Sequence, residues 1–500
     1  MRDVSRLKIH QLCNKIIKLK DYIKLHENKI DLSNATHLNS SSPLKKIEST
    51  SIKGRKEVRS LTNTSMRSGM VELTMIEESS KTKHYIGPLS SLAVLSWASS
   101  ALNKKVDFGK YRTLFAFLEE NSQFSEDLSQ KYKFEKILLT PQVTRILLQH
   151  YFEHIYPNYP IFERSYFIFD VKIKNLPSKK RLFVLYSLSI SSCHLMRSLK
   201  QFYPITLMLQ QWTSELCKDV LAENSAESFL ALIHECIFQL FETNSRSLWH
   251  ILGLCTRFCL KYGYPRYLSE SSEELRDLKK AILILYDIET DVCLSLGRPS
   301  MLTAQKFNTE KLSEHEKAII ERSLNRITLF RVLLNSNLKC PFSEDLFNIM
   351  REDLKRDFSY LLELWLYIGC HVLHECNSCS SRHKEWFHLI SFSLIKYVDK
   401  IHTLFTMNEI DCIWLTTTKV FTAGIVFIVV LRFFKTSSRF KIDVKELSKI
   451  EYESYNYVVS KYSIEASLEK CKHILKDLSF FWVRGRIYSE VLKDFQDLVN

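Results

Sequence analysis

From about residue 140 onward, apolar side chains recur at spacings of three and four, the period of a helix with one buried face. In "SLWHILGLCTRFCLKYGYPRY", residues Leu248, Ile251, Leu252, Cys255, Phe258, Cys259 and Tyr262 share such a face. Gly263 stands where a left-handed C-terminal cap belongs, and Pro265 cannot continue the helix. "SSEELRDLKKAILILYDIETDVCLSLGRPSM" repeats this pattern. Ser271 and Glu274 form a capping box, Leu278, Ala281, Leu285, Ile288 and Val292 mark the buried stripe, and Gly297 and Pro299 close it. No segment of similar length alternates with the period of a strand. The expected class is all-α.

The front of the chain follows two other patterns. Ile9, Ile16, Ile23 and Ile30 recur every seven residues, with Leu12 and Leu19 three after the first two and His26 in the next such slot. Ile at a and Leu at d favour a parallel two-stranded coiled coil, so residues 1–32 are expected to dimerise. Lys8, Lys15, Lys20 and Lys29 flank the seam against Glu27 alone, so the dimer should be weak. Residues 33–83 turn rich in Ser, Thr, Asn and Lys and lose periodicity. Such a stretch buries too little to offset chain entropy, and a disordered linker is expected. Gly87-Pro88 then marks a turn into a helical body spanning 84–500.

Composition sharpens this picture. Ten Gly and ten Pro in 500 residues leave few tight turns, which suits long helices. The thirteen Cys are scattered among apolar positions, as expected for free thiols in a reducing compartment. The apolar run "VFTAGIVFIVVL" (Val420 to Leu431) is fenced by Lys419 and Arg432. It falls short of the ~20 residues a membrane-spanning helix needs, so it is read as a core helix with no membrane partner. Of the net charge of +14, residues 1–83 carry +8, from seventeen Lys/Arg against nine Asp/Glu. Lys45, Lys46, Lys53, Arg55, Lys56 and Arg59 could neutralise phosphates from a flexible arm, without reading sequence. The plainer alternative is a solvated tail that keeps the chain soluble.

Candidate chemistry is sparse. There is no G-x-G-x-x-G, no phosphate-cradling loop and no G-x-S-x-G. Asp287, Glu289 and Asp291 lie at i, i+2 and i+4, so only Asp287 and Asp291 share a helix face, and a solvated acidic face explains them better than paired catalytic carboxylates. The densest set of possible ligands is Cys370, His371, His374, Cys376, Cys379 and His383. Cys376-x-x-Cys379 has the spacing of a metal knuckle but lacks a second C-x-x-C, so no metal site is expected there. No enzyme activity is expected.

Three segments in order carry a family resemblance: "YPNYPIFERSYF", "LWHILGLCTRFCLKYGYPRY" and "LSLGRPSML". Together they resemble the middle homology region of the fungal zinc binuclear cluster transcription factors, over about residues 84–480. The motif positions are Gly253, Arg257, Gly263, Gly297, Arg298 and Pro299. "HYIGPLS" is similar to the short motif ahead of that region, and the Ile/Leu heptads to the dimerisation helix that comes after the cluster. Lys279, Lys280, Leu283 and Glu289-Thr290 depart from the family pattern and suggest a divergent member. The six-cysteine cluster itself is missing, since Cys13 is the only cysteine before Cys193.

The resemblance implies a nuclear regulator of RNA polymerase II transcription whose helical body is an inhibitory or effector-responsive module. It implies homodimers, or heterodimers with a related regulator, and contact with the transcription machinery. DNA would be reached through a missing or partner-supplied zinc cluster, and zinc is expected only with an upstream cluster. The alternative is a cluster-less helical protein that heterodimerises with intact regulators and modulates them. The resemblance also makes the Tyr156-Pro157 and Tyr159-Pro160 steps a corner between helices, with Ile161, Phe162 and Phe167 docking the next element. At "LGRP", Gly297 is expected as a left-handed cap, with Arg298 turned inward onto carbonyls, Glu289 or Asp291.

Overall fold

The computed structural model describes mainly residues 139–162, 173–196, 202–242, 248–263, 275–302, 382–436, 461–481 and 485–499, with single residues omitted within several of these ranges. Two short strands, β1 (Leu73–Ile76) and β2 (Lys83–Ile86), pair antiparallel with Leu73 opposite Ile86. No strand was expected there, because the composition of 33–83 as a whole is that of a linker. The local runs Leu-Thr-Met-Ile and Lys-His-Tyr-Ile are nonetheless rich in β-branched, aromatic and other apolar residues that suit a pleated pair.

The rest of the described chain is helical. In order come α1 (Pro141–His150), α2 (Ser178–Met196), α3 (Tyr203–Ala222), α4 (Ala226–Phe241), α5 (Leu248–Lys261) and α6 (Arg276–Leu296). After them come α7 (Arg382–Thr406), α8 (Ile413–Thr436), α9 (Lys461–Phe481) and α10 (Arg486–Val499). Caps set several boundaries. Thr140 accepts from the Val143 N–H ahead of Pro141 at the first turn of α1. Ser225 and Ser228 form a reciprocal capping box at α4. Gly263, at φ 65°, closes α5 in the left-handed conformation that its position predicted. Ser271, Glu274 and Pro265 lie outside the described residues.

Helix α2 packs on α1, α3 and α4, and α4 also packs on α5 and α6. A second group is built on α8, which contacts α7, α9 and α10, and which meets α6 and α4. Helices α2, α4 and α8 are therefore enclosed on nearly every side. Several buried Ser and Thr residues in α2 and α8 return their hydroxyls to their own helix. Ser187 donates to the Phe183 carbonyl and Ser189 to the Leu185 carbonyl. Thr417 donates to the Ile413 carbonyl and Thr422 to the Thr418 carbonyl.

The run Val420 to Leu431 lies inside the 24-residue α8, a longer helix than the apolar run alone implied. Ile413–Arg432 is long and apolar enough to cross a membrane, but 83% of its most apolar window is buried against the rest of the protein. Gly424 permits a close approach of α10: a Cβ there would lie 2.8 Å from Leu492 Cδ2. The expected stripe on α6 is buried, but so are Ile282, Leu283, Ile284, Tyr286, Glu289 and Thr290, because α4, α5 and α8 all pack against this helix.

Candidate functional site

Two of the three segments that carry the family resemblance meet at the end of α6. The Arg298 N–H donates to the Cys293 carbonyl at 2.8 Å, the long backward bond that closes a helix when a left-handed residue intervenes. Gly297 and Pro299 lie outside the described residues. The Arg298 guanidinium sits 4.9 Å from the centre of the Trp249 ring on α5, and burial draws its pKa down from the usual value. It was expected to turn inward onto carbonyls or an acid, but the aromatic face is what it covers.

The acids are engaged elsewhere. Glu289, only 1% exposed, accepts from Ser300 Oγ at 2.5 Å and from the Met301 N–H at 2.7 Å. Burial raises its pKa, and those same donors oppose the rise. Asp291 lies 3.7 Å from Lys419 of α8. The expected solvated acidic face is thus corrected: Glu289 is an internal clamp that ties the chain after α6 back to α6. Tyr286 strengthens it by donating to the Leu302 carbonyl at 3.3 Å.

Across the same corner, Met301 Cε lies 3.6 Å from where a Cβ on Gly253 would be, an ordinary contact. Gly253 is therefore not required by space. Arg257 is exposed, as is Leu254, and Met301 is partly so. The corner offers a half-apolar, cationic surface.

The Pro-interrupted stretch forms the expected corner. α1 runs into a π turn, Tyr151–Ile155, closed by the Tyr156 N–H on the Tyr151 carbonyl at 2.8 Å. Beyond the prolines, Ile161 and Phe162 are buried. The Phe162 ring is 4.6 Å from Phe183 and stacks on His234 at 5.2 Å. Phe167 lies outside the described residues.

Sequence reasoning missed two groups here. His234, fully buried on α4, bonds the Leu230 carbonyl through Nδ1, and burial lowers its pKa to about 4. His150, His154 and His194 gather beside the π turn, with His150 Nε2 and His194 Nδ1 2.8 Å apart. The spacing of His150 and His154 was readable as one helix face, but nothing local connects them to a residue 44 positions away.

The other expected site residues lie outside the described residues. These are the dimer seam Ile9, Leu12, Ile16, Leu19, Ile23 and Ile30, the basic set Lys45, Lys46, Lys53, Arg55, Lys56 and Arg59, and the side chains of the Cys370 to His383 knot. The described cysteines, among them Cys193, Cys236, Cys255 and Cys471, are buried and form no disulfide among the described residues. No family model matches the chain, and no curated protein or solved structure matches it either.

Proposed function

We propose that this chain is the helical regulatory part of a transcription regulator of the fungal zinc cluster type, acting in the nucleus as an inhibitory or effector-responsive module. What supports the reading is one observation. The motif segments around Trp249 and Gly253 and around Arg298 and Met301, about fifty positions apart, pack on one corner held by Glu289. In this reading the corner is a structural hub, and DNA is reached through a zinc cluster carried upstream or by a partner chain.

The test is to fuse residues 84–500 and the full chain to an unrelated DNA-binding domain and measure a promoter bearing that domain's sites. Expression should shift from the level of the DNA-binding domain alone, upward or downward. The Glu289→Ala variant should lose the shift as the corner loosens. A folded, nuclear fusion that leaves the promoter at its base level overturns the proposal.

A further inference from the structure

We infer that the outward face of α5 is a docking surface for an acidic peptide segment of a partner protein, one that carries a leucine or phenylalanine among its carboxylates. The inference does not depend on the transcription reading, since it rests on the exposure and charge of one helix face.

His250, Leu254, Arg257 and Lys261 are the exposed positions of α5, and they follow one another at intervals of four, three and four. That spacing sets them in one stripe along the helix, about 16 Å from end to end. Leu254 lies inside the stripe and is 48% exposed, whereas Leu248 and Leu252 of the same helix are buried. Trp249 and Gly253, with Met301 packed over Gly253, border the stripe on one side. Half-buried Phe258 borders it on the other.

The charge on this face is of one sign. No Asp or Glu lies between Leu248 and Gly263. The acids of the neighbouring elements are occupied: Glu289 inside the corner by Ser300 and Met301, Asp291 by Lys419, and Glu235 of α4 by the Gln239 amide at 2.6 Å. Arg257 and Lys261 have no ion pair among the described residues. Lys261 lies over its own neighbour Tyr262, and Arg298 adds a third cation beside Trp249.

Two features together select the occupant. A nucleic acid would meet the cations and leave Leu254 against phosphates and sugars. A bilayer takes a broad apolar face, and here one exposed leucine stands between charges. An acidic peptide supplies both halves: carboxylates one or two turns apart reach Arg257, Lys261 and Arg298, while an apolar side chain between them covers Leu254. The charges then set orientation and rate of encounter, and the apolar contact holds the complex.

The test selects a displayed library of random peptides on the full chain and measures the enriched sequences as synthetic peptides. They should be rich in Asp and Glu around Leu or Phe. Arg257→Glu should weaken them about tenfold or more, and Leu254→Ser should do so by about fivefold or more. Both side chains are exposed, so urea unfolding of the two variants should match wild type. Lys493→Glu makes the same charge change at an exposed position of α10 and should bind as wild type does. No enrichment of acidic peptides, affinity unchanged in Arg257→Glu or in Leu254→Ser, or an equal loss in Lys493→Glu would each overturn the surface. Duplex DNA and vesicles containing phosphatidylserine serve as comparison probes. Binding of either that depends on Arg257, without peptide binding, would give the face to another class of partner and overturn the proposal.

Discussion

Replacing His234 with Phe isolates a single buried titration. The ring is fully buried among Phe162, Phe183 and Tyr186, donates Nδ1–H to the Leu230 carbonyl, and has no partner for Nε2 among the described residues. Its pKa falls from 6.5 to about 4, because burial disfavours the cation. Between those values the unfolded chain takes a proton that the folded chain refuses. The stability that His234 contributes is therefore complete above the unfolded pKa and is lost as pH falls toward about 4, a change of about 3 kcal/mol. Glu242 works against it. Burial raises its pKa from 4.5 to about 7, with the Gln210 amide opposing, so its contribution is lost as pH rises through that window. The wild-type profile should be shallow where the two overlap. His234→Phe keeps the ring contacts and removes one slope, so the variant should gain on wild type steadily as pH falls. Urea unfolding followed by helical circular dichroism, at several pH values from about 7 to about 4.5, measures that difference while other groups cancel. A constant gap between variant and wild type across the range would refute the reasoning.

Other perturbations have equally defined outcomes. Glu289→Ala strips the acceptors from Ser300 and Met301 and should cost about 3 kcal/mol in urea unfolding, while Glu289→Gln, which keeps one acceptor, should cost clearly less. Gly263→Ala should cost about 1 kcal/mol for a side chain at φ 65°, whereas Gly253→Ala should be neutral or stabilising, since its Cβ meets only Met301 at 3.6 Å. Gly424→Ala drives a Cβ to 2.8 Å from Leu492 and should cost about 1–3 kcal/mol. Leu492→Ala in the same chain should recover part of that cost, which a double-mutant cycle would show as coupling.

Features that depend on neighbours in sequence were legible, and features that depend on distant partners were not. The cap at Gly263 and the stripe from Leu278 to Val292 come from helical spacing alone. Glu289 read as surface because acids on helices usually are. Its donors come from Ser300 and Met301, eleven and twelve residues on, and only the turn after α6 returns them. The length of α8 was understated because Thr417, Thr418 and Lys419 look polar in sequence, although Thr422 sits inside the apolar run. Each of the three threonines satisfies its hydroxyl on a carbonyl of its own helix and so passes into the core. The histidine cluster and the Arg298 contact with Trp249 join helices that no local pattern pairs.

The coupling between the corner and the α8 group then depends on surface more than on charge. The one ion pair between α6 and α8 that the described residues show, Lys419 to Asp291, is 3.7 Å long and half-buried. At that length the pair is longer than a hydrogen bond, and its attraction is set against the cost of desolvating both groups. Packing of α6 and α4 on α8 involves buried Ile288, Val292 and Leu415, each of which contributes about 1.5–3 kcal/mol when fully removed from water. In the proposed regulatory reading, a signal at the corner would reach the α7–α10 group through a shift of α6 as a packed body. Breaking the ion pair should leave that route intact, while enlarging or shrinking the side chains beneath it should not.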